Sequence, residues 1–283
     1  MEDFTYKIGI IIILYYPDKE HLIGTISKLP ENEDIILVDN TPKQDLHLSN
    51  NNVKYIALKE NRGIAFAQNI AINELRKKKC NYVVFFDQDS NILPNYPRMI
   101  TKEHKRISQF EKKLFLLGPK VINRTDKKEY SSIFHKDIQK NYNFINKREI
   151  ISSGSCTTLP LIDKVGLLYE ELFIDYVDFE WCWRAKSKQL VCGITPNVVL
   201  EHKVGNKEIY LWKYTIIISA PLRYFYQYRN YFYLIRKKYV PFQWKVAMAI
   251  KMGLRLFYFP LLIKDGKKCW TNMIKGIKCG LKI

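Results

Sequence analysis

The stretch YVVFFDQDSN, residues 82–91, joins a run of apolar residues to two carboxylates that lie one residue apart. Tyr82 to Phe86 predict a buried strand, and Asp87 and Asp89 follow at its C-terminal end. Asp is also a common turn residue after a strand. The rest of the sequence therefore has to decide between a binding site and an ordinary turn.

The segments around this stretch alternate between strand and helix patterns. Strand patterns cover residues 7–16, 34–40, 53–58, 82–86, 114–122 and 148–159, and helix patterns cover residues 18–29, 63–79 and 178–189. Continuous β-branched runs such as KIGIIIILYY are typical of strands that are buried on both faces. The alternation predicts an α/β domain with a mostly parallel sheet.

Three carboxylates follow predicted strands. Asp39 ends the strand DIILVD, and Asp87 and Asp89 end the strand YVVFF. In open α/β sheets, ligands bind beyond the carboxyl ends of the strands. We therefore expect the three acidic groups to share one rim of the sheet and to form a binding site.

The acidic pair does not fit two other acidic motifs. An EF-hand loop that started at Asp87 would need Gly at its sixth position and Glu at its twelfth, where this chain has Ile92 and Arg98. A haloacid-type phosphatase would carry the pair near the first strand and Thr or Val at the fifth position, which here is Asn91. An Asp-x-Asp pair that holds Mg²⁺ or Mn²⁺ against a diphosphate remains.

The basic charge is concentrated at the C-terminus. The chain has 283 residues and a formal charge of +18, and residues 203–283 hold 17 of its 46 Lys and Arg but only 2 of its 28 Asp and Glu. We expect a catalytic domain over residues 1–205 and a basic, aromatic helical extension over residues 206–283. Such an extension suits nucleic acid or an anionic membrane surface.

The residue pattern at the end of the chain favours a membrane surface over nucleic acid as the partner of the extension. Residues 246–263 are apolar but contain Lys251, Arg255 and Pro260, so we expect this segment to lie on a bilayer rather than span it. In the last segment, lysines share one side, and Trp270, Met273, Ile274, Ile277 and Leu281 form a separate stripe. This pattern predicts a basic amphipathic helix in the membrane interface.

Cysteines and the N-terminus indicate a cytoplasmic protein. The six cysteines show no paired spacing, which is typical of buried thiols in a reducing compartment. The first residues, MEDFTYKIGI, predict neither a signal peptide nor a spanning helix.

The ordered motifs resemble family 2 glycosyltransferases with the GT-A fold, most of all their rhamnosyltransferase-type branch. The motifs are VDN (38–40), NRGIAFAQNIAI (61–72), FFDQDS (85–90), SGS (153–155), LFIDYVDFEWCWRAKSK (172–188) and LEHKVG (200–205). The resemblance covers roughly residues 7–235. The chain departs from the family at Ala71, where Gly is more usual, and at Val177, where many relatives have Glu.

The resemblance implies a role for each matching residue. Asp178 would be the general base, and Asp89, Asp87 and His202 would hold a divalent cation, Mn²⁺ or Mg²⁺. The donor-binding residues would be Asp39, Asn61, Gly63, Asn69 and Asp87. The acceptor-side candidates are Gly154, Ser155, Asp175, Glu180 and Trp181.

Other roles stay open for several of these residues. Backbone N–H groups at the start of a helix would hold Asp178 and lower its pKa, and a plain helix cap would look the same in sequence. Glu180 also fits a partner of the helix dipole, and Trp181 also fits a packing residue. Asn61 and Asn69 also fit turn and helix-surface positions, and His202 a loop position.

The resemblance implies a metal-dependent, inverting glycosyltransferase. We expect it to move rhamnose from TDP-rhamnose onto a lipid-linked glycan acceptor in cell-surface polysaccharide synthesis, at the inner face of the cell membrane. UDP-glucose, UDP-galactose or UDP-galactofuranose are the alternative donors. A nucleic-acid-binding protein is the alternative class, although clustered carboxylates would repel phosphates unless a cation intervened.

Overall fold

The computed structural model of the chain describes residues 6–44, 46, 52–123, 138–140, 143–202, 207–211 and 214–283. The strands are β1 (Ile8–Leu14), β2 (Asp34–Asp39), β3 (Val53–Ala57), β4 (Tyr82–Asp87), β5 (Leu114–Asn123), β6 (Ile138–Lys140), β7 (Phe144–Lys147), β8 (Cys156–Thr158), β9 (Val191–His202), β10 (Lys207–Leu211) and β11 (Tyr214–Ile218). The helices are α1 (Lys19–Ile26), α2 (Ile64–Lys77), α3 (Tyr96–Ser108), α4 (Leu159–Val165), α5 (Val177–Ser187), α6 (Pro221–Ile235), α7 (Phe242–Leu262) and α8 (Gly266–Lys282), with a 3-10 turn at Glu170–Leu172.

The first nine strands form one mixed sheet in the order β3-β2-β1-β4-β8-β5-β9-β7-β6. β1 pairs in parallel with β2 and β4, β2 with β3, and β5 with β9. β8 runs against β4 and β5, and β7 runs against β9 and β6. Most described strands of this sheet therefore point the same way, and the predicted α/β class with a mostly parallel sheet is confirmed.

The sequence located the first four strands to within a few residues but missed later elements. The strand predicted over residues 148–159 is wrong for most of its length, because residues 152–155 form a turn in which Ser155 N donates to Ser152 O at 2.9 Å. Only β8 remains of it. Helix α3 and strand β9 were not predicted, although the buried face of α3 has helical spacing at Tyr96, Ile100, His104 and Ile107.

Both faces of the sheet are covered, and the C-terminal helices take part. One buried cluster contains Ile11 and Phe85 and the other contains Ile10 and Phe86, as expected for side chains that alternate along a strand. The first cluster also takes in Leu234 and Trp244 from the C-terminal segment. The domain boundary expected at residue 205 lies at residues 203–206, outside the described residues, and remains a prediction.

Helix α8 uses much of its apolar stripe for packing. A Cβ atom at Gly276 would lie 2.4 Å from Phe225 O, and one at Gly280 would lie 2.8 Å from Phe232 Cβ, so the two glycines let α8 approach α6 closely. Met273 is fully buried, whereas Trp270 and Leu281 are exposed. The expectation that this whole stripe faces a membrane is therefore wrong for its middle.

Helix α7 carries a continuous exposed apolar face. Its members recur every three or four residues and share one side of the helix: Phe242, Val246, Ile250, Leu254, Phe257 and Leu261, all exposed. The described helices include none that is both long and apolar enough to cross a bilayer.

His104 makes stability depend on pH. It is almost completely buried in α3, beside the ring of Tyr82, and burial lowers its pKa from 6.5 to about 4. The folded protein thus binds this proton less readily than the unfolded chain, so stability is full above pH 6.5 and falls as the pH drops toward 4. We expect His104 to account for a loss of about 2 kcal/mol in the free energy of unfolding between pH 8 and pH 5.

Urea unfolding of the parent and of His104→Leu at the two pH values measures this contribution. The difference between the two chains isolates His104 from the other titrating groups. An identical pH response in both chains would contradict the assignment.

Candidate active site

The sheet brings two of the expected carboxylates to the same rim. Asp39 ends β2 in register with Leu14, and Asp87 ends β4 in register with Ile13. The two therefore flank the C-terminal end of β1. Asp89 lies two residues beyond β4 and is exposed, whereas Asp87 is half-buried. The rim predicted from the strand order exists.

Asp39 is fixed in place by the protein. Its side chain is fully buried, with Oδ1 accepting from Thr41 N at 2.7 Å and Oδ2 accepting from the Tyr55 hydroxyl at 2.8 Å. Each carboxylate oxygen has a second lone pair. The group therefore has lone pairs for one more hydrogen bond without giving up these two, but a ligand N–H reaches them only when the atoms that bury Asp39 move aside.

Asn40 joins this strand end to the loop that precedes α2. Its Nδ2 donates to Gly63 O at 3.2 Å, and its Oδ1 accepts from Arg62 N at 3.1 Å. Within the loop, Gly63 N donates to Asn61 Oδ1 at 3.0 Å, so Asn61 closes a turn. Gly63 has φ of 84°, and a Cβ there would lie 2.5 Å from Phe173 O. Only glycine suits this position.

The acidic pair sits on a rigid support. Gln88 Oε1 accepts from Tyr15 N at 2.7 Å and its Nε2 donates to Tyr15 O at 3.0 Å, which ties the end of β4 to the end of β1. Asp87 N donates to Ser153 Oγ at 3.3 Å, and Ser153 Oγ lies 2.8 Å from Ser90 Oγ. These contacts fix the backbone that presents Asp87 and Asp89.

Asp178 reaches the same rim from a different part of the chain. It lies in the first turn of α5, where its Oδ1 accepts from Phe179 N at 3.0 Å. The crowding of protein atoms around its carboxyl raises its pKa to about 7, although part of the side chain is accessible to solvent. The Asp87 carboxylate adds to the rise, and the N–H groups of Phe179 and Ser152 oppose it.

One alternative for Asp178 is thereby excluded and one expectation is corrected. The N-cap of α5 is Tyr176, not Asp178. The helix N–H groups do lower the pKa of Asp178, but burial and Asp87 outweigh them and the pKa rises. The result is a carboxyl whose pKa lies near neutral pH, where a general base is most effective.

The backbone before Asp178 adopts an uncommon conformation. We call residues 171–176 the Asp178 loop. Within it Phe173, Asp175 and Tyr176 have φ of 62°, 66° and 65°, a region that costs non-glycine residues energy. Asp175 forms an ion pair with Arg223 of α6, in which Arg223 Nε donates to Oδ2 at 3.2 Å. Asp175 therefore holds the loop rather than facing an acceptor.

Two acceptor-side candidates lie in the protein core. Glu180 and Trp181 are both fully buried. Glu180 accepts from Arg184 Nε at 2.9 Å and from the Tyr239 hydroxyl at 2.7 Å. Trp181 packs edge-on against Phe85 and Phe115. The structure thus assigns both to packing, which corrects the expectation that they face the acceptor.

The structure also places Asn69, Gly154 and Ser155 away from open solvent. Asn69 donates to Leu168 O at 2.9 Å and accepts from Leu168 N at 3.1 Å, so it braces a loop rather than lining a pocket. Gly154 O accepts from the Tyr96 hydroxyl at 2.9 Å, and Ser155 Oγ donates to Ser152 O at 2.6 Å. Both shape the turn beneath Asp87.

A third metal ligand is not identified. His202 ends β9, and its side chain lies outside the described residues. No group of three or more His, Cys, Asp or Glu suited to a metal occurs among the described residues. Mg²⁺ and Mn²⁺ commonly use one or two carboxylates together with substrate phosphates and water, so the exposed Asp89 and half-buried Asp87 fit such an ion.

Several residues that support the site were not predicted from the sequence. Asn40 belongs to the VDN motif, which gave a signal for it. Gln88 lies between the two aspartates but carried no signal of its clamp to Tyr15. Arg229 and Asn230 lie in the basic extension and contact backbone carbonyls of residues 171–175. The composition of the extension indicated its charge but gave no signal of these contacts.

Comparison with known sequences identifies the family of the site. A model of glycosyl transferase family 2 matches residues 11–157, which include Asp39, Asp87 and Asp89. The chain is 33% identical over 286 residues to the dTDP-rhamnosyl transferase RfbF of Shigella flexneri, an alignment that covers 94% of this chain and 92% of that protein.

Solved structures agree on the fold. A TarS chain from S. aureus in complex with UDP-GlcNAc superposes with a TM-score of 0.56 at 13% identity, over 96% of this chain and 81% of that chain. GalNAc-T7 with UDP, GalNAc and Mn²⁺ superposes with a TM-score of 0.57 at 13% identity, over 99% of this chain and 57% of that chain. A longer TarS chain is matched over only 49% of its length. These likenesses show the expected GT-A fold.

Proposed function

Since this chain belongs to glycosyl transferase family 2, we propose that it is an inverting rhamnosyltransferase that moves rhamnose from TDP-rhamnose onto a lipid-linked glycan acceptor. The observation that carries the proposal is the position of Asp178 close enough to Asp87, at the rim of the sheet, for the Asp87 carboxylate to raise its pKa. A base at Asp178 would lie near the carboxylates that are proposed to face a diphosphate. The likeness to a dTDP-rhamnosyl transferase supports rhamnose as the sugar and thymine as the nucleobase of the donor.

The donor is held at two ends. The nucleobase is bound by Asp39, whose free lone pairs accept the imide N–H of thymine or uracil. The diphosphate would face Asp87 and Asp89, which would hold Mn²⁺ or Mg²⁺. A bound cation supplies stabilisation of the negative charge that develops on the leaving diphosphate. Gly63 and Asn61 shape the loop before α2: Gly63 O accepts from Asn40 Nδ2, and Asn61 Oδ1 accepts from Gly63 N.

Asp178 acts on the acceptor. A sugar hydroxyl is a poor nucleophile, and a positioned carboxylate removes its proton as the bond to the sugar carbon forms. Attack from the face opposite the diphosphate inverts the configuration at that carbon. The first turn of α5 and the backbone of Ser152 hold the carboxylate in place for this step.

A UDP-sugar is the alternative donor. Solved structures of the same fold hold UDP or UDP-GlcNAc, and Asp39 accepts from uracil as readily as from thymine. A panel of nucleotide sugars, with and without Mn²⁺, tests the donor by thermal shift. A donor at 100 times its Kd stabilises the fold by about 2.7 kcal/mol, or several degrees.

Replacement of Asp89 by Asn tests the metal. We expect Asp89→Asn to weaken binding of TDP-rhamnose in Mn²⁺ by at least about 10-fold, since an outer-shell partner alone is often worth that much and a neutral amide replaces an anionic ligand. Calorimetry with and without Mn²⁺ measures it. Equal affinity of parent and variant in Mn²⁺ would rule out Asp89 as a ligand.

Nucleic acid binding is the weaker alternative for the basic extension. Proteins that bind single strands stack bases on exposed aromatic rings, whereas Tyr224, Tyr228 and Trp244 of this segment are buried in the fold. These three rings of the extension are thus used for packing.

We further propose that the protein binds the inner face of the cell membrane peripherally. The support is the exposed apolar face of α7 together with the exposed lysines of the last segment: Lys264, Lys267, Lys268, Lys275, Lys278 and Lys282. An apolar face enters the headgroup region, and lysines are attracted to anionic lipids by about 1 kcal/mol each. A lipid-linked acceptor would be reached at that surface.

Liposome sedimentation tests this surface. We expect Phe257→Gln combined with Leu261→Gln to weaken binding to anionic vesicles by about 10-fold or more, because each apolar side chain loses its transfer to lipid. Ile23→Gln, at an exposed apolar position of α1, is the matched control and should bind like the parent. Equal sedimentation of all three chains would exclude the α7 face as the membrane contact.

A further inference from the structure

Helix α6 contacts the Asp178 loop at residues that lie among and beside its left-handed ones. Asn230, in the middle of α6, is fully buried. Its Nδ2 donates to Leu172 O at 2.8 Å, to Ile174 O at 2.8 Å and to Asp175 O at 3.2 Å. The two N–H groups of one side-chain amide therefore serve three backbone carbonyls, one N–H being shared, in a loop whose left-handed residues cannot form regular backbone ladders.

Arg229 fixes the orientation of that amide. Arg229 Nε and Nη2 donate to Asn230 Oδ1 at 3.0 and 2.8 Å. Arginine can only donate, so Oδ1 must face Arg229 and the NH₂ group must face the loop. Arg229 Nη2 also donates to Leu172 O at 3.1 Å and to Glu171 O. The pair thus contacts the loop along most of its length.

The loop leads directly to Asp178. It ends at Tyr176, the N-cap of α5, and Asp178 follows two residues later. Left-handed backbone at Phe173, Asp175 and Tyr176 persists only when its surroundings hold it. The loop also contacts the start of α2, where Ile64 N donates to Phe173 O at 2.7 Å.

We propose that Asn230, oriented by Arg229, is a positioning residue that holds Asp178 at the reacting hydroxyl. The proposal rests on the proposed role of Asp178 as the base. It gives α6, which lies in the basic extension, a part in catalysis. A displacement of about 1 Å at a catalytic group can cost about 100-fold in rate, so loss of Asn230 should reduce kcat.

Asn230→Ala tests the proposal against a matched control. Gln227→Ala removes another buried amide of the same helix, whose Oε1 accepts from Arg255 Nη1 of α7 rather than from the loop. We expect Asn230→Ala to lower kcat by about 10- to 100-fold, with the Kd for the donor changed less than 3-fold. Gln227→Ala should lose stability but keep kcat within about 2-fold.

A double variant distinguishes the positioning of Asp178 from a general loss of stability. If Asn230 acts through Asp178, then Asn230→Ala should cost less than about 3-fold in kcat when Asp178 is already Asn, because the group it positions is gone. Equal losses in both backgrounds, or equal losses of kcat in Asn230→Ala and Gln227→Ala, would overturn the proposal. If Asn230→Ala does not fold, Arg229→Lys, which keeps the amide but frees its orientation, takes its place in the same cycle.

Hydrogen exchange separates this proposal from the proposed function. We expect Asn230→Ala to speed exchange of the amides of residues 173–180 by about 10-fold or more while those of β4 stay protected. Unchanged exchange at residues 173–180 would overturn the proposal by itself. A fully active Asp178→Asn enzyme, with faster exchange in Asn230→Ala, would instead reject Asp178 as the base and leave the contact between α6 and the loop intact.

Discussion

Asp178→Asn should abolish most glycosyl transfer while leaving the protein folded. General-base assistance is typically worth about 10²–10⁴ in rate, or about 3–5 kcal/mol of transition-state stabilisation. Asn keeps the shape of the side chain and its acceptor for Phe179 N, so the start of α5 is preserved. We expect kcat to fall by that factor, with donor affinity and thermal stability close to those of the parent.

The measurement is the transfer rate at saturating donor and acceptor, together with donor affinity by calorimetry. Asp163→Asn is the matched control, because Asp163 is an exposed carboxylate that pairs with Arg76 and lies in α4, which begins beside the N-terminal end of β4 rather than at the rim. It should be fully active. A fully active Asp178→Asn enzyme would show that another group removes the proton.

Glu180→Ala, unlike Asp178→Asn, should cause a large loss of stability. Glu180 and Arg184 form an ion pair whose side chains are only 0% and 8% exposed. Removal of one partner leaves an uncompensated buried charge, which typically costs about 3–5 kcal/mol. The variant also leaves the Tyr239 hydroxyl without its acceptor. We expect the free energy of unfolding to fall by about that amount.

Urea unfolding at pH 7.5 measures this loss. Asp163→Ala is the control, since it breaks an ion pair with 59% and 32% exposed side chains and should cost no more than about 1 kcal/mol. Glu180→Gln should fall between the two, because its amide oxygen still accepts a hydrogen bond. A loss below about 1 kcal/mol in Glu180→Ala would mean that the pair is not a stabilising contact.

The two acids lie on one turn of α5 but have different surroundings. Asp178 is near Asp87, and Glu180 is enclosed by Arg184 and Tyr239. The resemblance to a family pointed to both, since they stand in the same motif. Their different surroundings depend on which way each side chain leaves the helix and on what packs there, and neither can be read from the motif.

The sequence by itself determined the α/β class, the first four strands and the acidic rim. Each of these follows from local patterns: apolar runs form buried strands, and residues at the ends of parallel strands meet on one edge of the sheet. Asp39, Asp87 and Asp89 could therefore be identified from their positions after apolar runs alone. The SGS motif could also be found, but not its place beneath Asp87, because that depends on β8 pairing between β4 and β5.

Only the tertiary structure decided what surrounds Asp178. Its raised pKa comes from burial and from Asp87, which lies in a different strand. Its loop is held by Asn230, which is 55 to 58 residues away in sequence from the carbonyls that it binds. Such contacts leave no local pattern in the sequence. The sequence around an asparagine in an aromatic-rich helix is the same whether its amide faces water or three carbonyl oxygens. Packing of α6 against the loop makes that choice.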